Sequence, residues 1–136
     1  SGLVVPALGG RPGVYSARFS GPRATDQSNR TKLLRLLKAQ SGHSRRAYFE
    51  ACLVVAVNGA VLGSFSGRVW GRITKAQSGD GGFGYDPIFQ PRGYFKTFGE
   101  LPAATKHQLS HRARAVKRLR HKLSRLLRAL PQRKFI

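Results

Sequence analysis

The segment Arg46–Gly67 reads RAYFEACLVVAVNGAVLGSFSG, and its reading decides the fold. Aromatic and β-branched residues crowd Arg46–Val57, which ends in a nearly continuous apolar run; this predicts a central strand. Asn58-Gly59 is the strongest two-residue hairpin signal in the chain, so Ala60–Gly67 is expected to return alongside. Downstream, Arg68–Ala76 (RVWGRITKA) predicts a third strand, with Gly71 marking a bulge or a close approach. Upstream, Thr25 predicts a helix cap and Asp26 a favourable first-turn charge. Asp26–Ala39 then sets Leu33, Leu34, Leu36 and Leu37 among Arg30, Lys32, Arg35 and Lys38, the pattern of an amphipathic helix. Gly42, within Gln40–Ser44, is the natural stop.

The flanks follow the same logic. Ser1–Val5 predicts a short strand, and Ala7–Gly13 (ALGGRPG) a tight loop. Phe89–Phe98 is broken by Gly and Pro, and Glu100–Lys106 predicts a short helical turn with Pro102 near its start. Ser110 predicts the cap of a long final helix. Its apolar positions Val116, Leu119, Leu123, Leu126, Leu127 and Leu130 fall on one face. Pro131 ends it, and residues 131–136 read as a tail. The order of elements predicts one mixed α/β domain over residues 1–130.

At 136 residues the chain is long enough for one real core. Its 25 Lys and Arg against 5 Asp and Glu give a net charge of +20, which predicts attraction to triphosphates, nucleic acid or another polyanion. A single cysteine, Cys52, excludes an internal disulfide and a cysteine-based zinc cluster. Apolar runs fall short of the ~18 residues of a membrane span, and no signal peptide is visible. The absence of Met leads to the expectation that this is a processed, trimmed or broken form of something longer.

Two constellations carry candidate chemistry. The first is Ser78–Phe89, SGDGGFGYDPIF. Its glycines allow close backbone approach, Phe83 and Tyr85 offer flat faces for a ring, and Asp86 an acceptor for that ring's edge. Against this stands the plainer reading of a turn-rich connector whose aromatics fill the core. The second is Lys106 with Ser110-His111-Arg112. Lys106 and Ser110 are one helical turn apart, and the start of the final helix favours anions and electron-rich groups. Here the plainer reading is an ordinary cap followed by exposed basic residues. The acids are too few and too scattered to predict a metal site, and His107 and His111 lack a third ligand. The final helix adds a third feature: residues 111–136 hold ten Lys and Arg and no acid, so nucleic-acid backbone contact competes with a merely solvated face.

Several of these stretches together resemble the Ham1-like nucleoside triphosphate pyrophosphatases. The resemblance rests on Ser1-Gly2-Leu3, Leu8–Phe19 (LGGRPGVYSARF), Ala24–Leu34, Gly81–Phe89 (GGFGYDPIF), Phe98–Leu101 and Lys106–Ala113 (KHQLSHRA). It implies an elongated mixed β-sheet flanked by helices around a cleft, a cytoplasmic homodimer, and Mg²⁺-dependent hydrolysis of ITP, dITP or XTP to the monophosphate and pyrophosphate. It implies that Phe83, Tyr85, Asp86, Lys106, Ser110, His111 and Arg112 bind the base, with Ser1 and Gly2 at the phosphate end. It also implies that the metal-binding and water-activating carboxylates and the triphosphate-gripping segment stand before Ser1, so that no catalytic residue or metal ligand is assigned within the chain. Trp70 stands where an acidic or small residue is common in the family. The rival expectation is a non-catalytic remnant that binds RNA through its basic final helix.

Overall fold

The computed structural model describes residues 1–40 and 44–130. Four strands, β1 (Gly2–Val4), β2 (Arg46–Val57), β3 (Ala60–Ile73) and β4 (Phe89–Pro91), form one sheet in the order β1-β2-β3-β4, every neighbouring pair antiparallel. Three helices, α1 (Asp26–Ala39), α2 (Ala103–Leu109) and α3 (His111–Arg128), accompany it. Asn58 and Gly59 both take positive φ, 48° and 79°, as a two-residue hairpin turn requires.

The predicted second and third strands after the hairpin are one strand. β3 runs unbroken from Ala60 to Ile73 because Gly67 is not a break but a contact. A side chain there would strike His111 O and Ala115 N of α3, so glycine lets the helix lie directly on the strand. Gly71 likewise marks close approach, to Gln90 O and the Phe89 ring, while the register shift falls at Val55/Ala56. The α1 expectation holds to its ends: Thr25 accepts from Ser28 N–H, Ser28 answers Thr25 N–H in a capping box, and Gln40 closes the helix. The expected stop at Gly42 and the end at Pro131 lie outside the described residues.

Strand alternation sorts β2 and β3 into two faces. Ala47, Phe49 and Val69 point into a core that Leu3, Leu33 and Phe89 complete. Full burial of such side chains contributes roughly 1.5–3 kcal/mol each. α3 packs less fully than its pattern predicts. Ala115 is buried, yet Val116, Leu123 and Leu127 are exposed.

Candidate functional site

The loop Ser78–Phe89 is held at both ends. Ser78 N–H donates to Pro87 O (2.8 Å) and Gly81 N–H to Gly99 O (2.8 Å), while Thr97 Oγ1 donates to Ser78 O (2.6 Å). At its middle α1 clamps Gly84 from both sides: Gly84 N–H donates to Asp26 Oδ2 (2.9 Å), and Arg30 Nη1 donates to Gly84 O (2.6 Å). Gly82 takes φ +70°, and a side chain there would strike the Asp86 carboxylate. The loop therefore closes tightly over Asp86.

Asp86 is 4% exposed. Its Oδ2 accepts from Phe83 N–H (3.0 Å) and pairs with Lys106 Nζ. One oxygen of the expected ring-edge acceptor thus holds Lys106 and the Phe83 backbone. Tyr85 is buried and its hydroxyl donates to Ser16 O (2.6 Å); burial, then the Asp26 carboxylate, push its phenol pKa up. It walls the cavity. Phe83 is 60% exposed, with Lys106 Nζ 4.5 Å and the Arg112 guanidinium 5.4 Å from its ring centre. That exposure leaves ring area free for a planar ligand.

α2 hands over to α3 at Ser110. Ser110 N–H donates to Lys106 O (2.9 Å), its backbone turns extended (φ −61°, ψ 155°), and its Oγ accepts from Ala113 N–H (3.1 Å). The kink places Lys106 on one helix and His111 and Arg112 on the first turn of the next, facing one space. The His111 ring stacks on Phe49, centroids 5.1 Å apart at 17°. Burial, then positive neighbours led by Arg112, lower its pKa to about 4, so it is neutral at pH 7. Its buried Nδ1 has no partner among the described residues. Arg112 Nη2 donates to Ser1 Oγ (3.3 Å).

All nine residues expected at the base or phosphate end, Ser1, Gly2, Phe83, Tyr85, Asp86, Lys106, Ser110, His111 and Arg112, line one largely apolar cavity of about 450 Å³. Sequence reasoning missed Ser16, Asn29, Phe49 and Phe98, which line it too. Asn29 is 2% exposed and ties the loop Ser16–Ser20 to α1 through Ser16 O, Ala17 O and Ser20 N–H. A buried asparagine in a polar helix stripe was the available signal. Lys106, Arg112 and the α3 N-terminus give the cavity a positive rim. An apolar cleft with a ring face and a rim of fixed donors suits a flat, acceptor-bearing heterocycle joined to an anion.

The model of the Ham1 family matches residues 1–122, and the chain belongs to that family. It is 45% identical over 95% of its length to a dITP/XTP pyrophosphatase of Bacillus subtilis (strain 168), covering 63% of that protein. It is 44% identical over 90% of its length to the protein of that name from Geobacter sulfurreducens, covering 62%. Among solved structures, a HAM1 protein from Coxiella burnetii matches with a TM-score of 0.86 at 35% identity, over 91% of this chain and 64% of that one. The Ham1 protein of Staphylococcus aureus matches at 0.82 and 39%, over 90% and 63%. The chain thus spans a little under two thirds of these relatives. The α/β class with helices flanking an elongated sheet agrees with them, the described strand pairs being all antiparallel.

Proposed function

We propose that the protein, taken whole, hydrolyses non-canonical purine nucleoside triphosphates such as ITP, dITP and XTP to the monophosphate and pyrophosphate, and that the residues described here read the base. Membership of the Ham1 family and its similarity to dITP/XTP pyrophosphatases support the reaction. The convergence of Phe83, Lys106, His111 and Arg112 on one cavity supports the assignment of base reading.

The chemistry follows from the donors. A purine with a 6-oxo group accepts hydrogen bonds where Lys106, Arg112 and the neutral His111 ring can donate. Adenine presents a 6-amino donor there instead, which leaves the buried His111 ring without a complementary partner at roughly 1–3 kcal/mol. Phe83 would carry the ring, and Ser1 and Gly2, beside Arg112, would face the phosphates. The Mg²⁺ implied by the resemblance does not fit the described side chains. No group of three His, Cys, Asp or Glu that could hold a metal occurs among them; Asp86 is held by Lys106 and Asp26 by Gly84 N–H. Their part is binding and orientation. In the same reading residues 1–130 form one domain with 131–136 as a tail, and the whole protein is a cytoplasmic homodimer. No described helix is long and apolar enough to cross a membrane.

The test is pyrophosphate release by the purified protein with Mg²⁺ and ITP, run against ATP. A preference of roughly a hundredfold or more in kcat/KM supports the reading; equal turnover of ATP overturns it. A second reading, a polyanion-binding role, draws on α3. Its 18 residues carry eight Lys and Arg and no acid, nearly all exposed. Filter retention of RNA across a salt series tests it, because phosphate contacts impose a steep salt dependence.

A further inference from the structure

The outward face of β2 and β3 takes no part in the cavity. There Arg46 pairs opposite Arg72, Tyr48 opposite Trp70, and Glu50 opposite Arg68. The Tyr48 and Trp70 rings lie 4.5 Å apart at 49°. The Arg46 guanidinium sits 4.7 Å from the Trp70 ring centre, and that of Arg68 sits 4.6 Å from the Tyr48 ring centre. Beside them a concavity of about 410 Å³ is bordered by Arg46, Trp70, Arg72, Gln90, Arg92 and Tyr94, and the next residue, Phe95, is fully exposed.

Charge on this face is one-sided. Arg46, Arg68, Arg72 and Arg92 are all exposed, against one carboxylate, Glu50, which Arg68 Nε already holds at 2.8 Å. Arg46 and Arg72 are like charges directly opposite one another, an arrangement that weakens a sheet. Burial and then Arg72 also disfavour the neighbouring Arg45 cation. Folding gains nothing from this repulsion, whereas a bound polyanion relieves it. Neither Tyr48 nor Trp70 belongs to the core cluster.

We propose that this face binds single-stranded nucleic acid. Arg72 and Arg92 take backbone phosphates, and unpaired bases stack on Trp70 and Tyr48 in place of the guanidinium groups of Arg46 and Arg68, the mode by which sheet faces engage unpaired strands. Arg46 to Glu50 spans about 13 Å at about 3.3 Å per residue, room for roughly two nucleotides. A duplex conceals the base faces that the tilted Tyr48–Trp70 pair would meet.

Trp70 is the sole tryptophan, so its emission reports on this face alone. Titration with a 12-nucleotide single-stranded RNA is expected to quench it, with log K falling against log salt at a slope of about −2 for the roughly three phosphates that flank two nucleotides. Heparin, a polyanion without bases, is expected to displace the strand without quenching. By anisotropy of a labelled strand, Trp70→Ala is expected to weaken binding roughly 5- to 150-fold, with Trp70→Phe restoring most of the loss and Lys38→Ala, on the exposed side of α1, changing nothing. Should Trp70→Ala fail to fold, Arg72→Ala with Arg92→Ala weakens binding while keeping the emission probe. Absence of binding overturns the proposal. So does binding that leaves Trp70 emission unchanged, which places the strand on α3, and so does equal quenching by heparin.

Discussion

Two faces of the same pair of strands, one residue out of step, meet opposite environments. Phe49 and Val69 point inward, where Phe49 backs the core and stacks on His111. Their neighbours Tyr48 and Trp70 point outward into a row of arginines. The inner face carries few charges, and these are paired or set at the rim: Asp86 with Lys106, His111 without its proton, and Arg112 at the mouth of the cavity. The outer face is open, so its charges stand side by side with little compensation. A period of two residues is enough to give one sheet an apolar cavity wall on one side and a row of arginines on the other, because a charge is costly when buried and not in solvent.

The comparison can be broken most forcefully on the inner side. Gly67→Ala puts a side chain against the α3 backbone and is expected to cost about 3 kcal/mol, the upper end for overpacking, read as a lowered urea midpoint. Asp86→Asn leaves Lys106 without its carboxylate. A loss approaching 3 kcal/mol is expected, together with weaker nucleotide binding. A milder probe uses pH. His111 has its folded pKa lowered to about 4 from an ordinary 6.5, so the unfolded chain takes up the proton first. Stability linked to this residue is full above pH 6.5 and drains away as pH falls towards 4. Urea melts of the protein and of His111→Gln at a series of pH values check this: the wild-type protein should lose stability more steeply across that window. The smallest effect belongs to the outer face, where Trp70→Ala is expected to cost about 1 kcal/mol, the scale of one aromatic pair, and to leave nucleotide affinity unaltered. A large loss of nucleotide affinity in that variant would mean that the two faces are coupled.

Local signals were legible without the structure. Thr25 and Asp26 start α1, Asn58-Gly59 turns the hairpin, and Ser110 caps α3, because each rests on residues adjacent in sequence. That Phe83, Tyr85 and Asp86 would share a cavity with Lys106, Ser110, His111 and Arg112 was legible through the resemblance, which joined two segments that spacing alone does not connect. What stayed hidden depends on long-range register. Gly67 read as a strand end because nothing local announces a helix 44 or more residues later lying on it. The clamp of Asp26 and Arg30 on Gly84 joins residues 58 and 54 apart. Trp70 was noticed only as an unusual residue. Its platform exists because register sets it opposite Tyr48. The apolar stripe of α3 was legible as a face, but periodicity does not show whether anything covers it, and Val116, Leu123 and Leu127 stay exposed.

The central claim, that the cavity around Phe83, Lys106, His111 and Arg112 reads a 6-oxo purine, is tested most directly by calorimetric titration of the protein with inosine monophosphate and with adenosine monophosphate. Inosine monophosphate is expected to bind at least roughly tenfold more tightly, the value of one unpaired buried hydrogen-bonding group, and His111→Phe should erase much of the difference. Equal affinity for the two nucleotides would contradict the account.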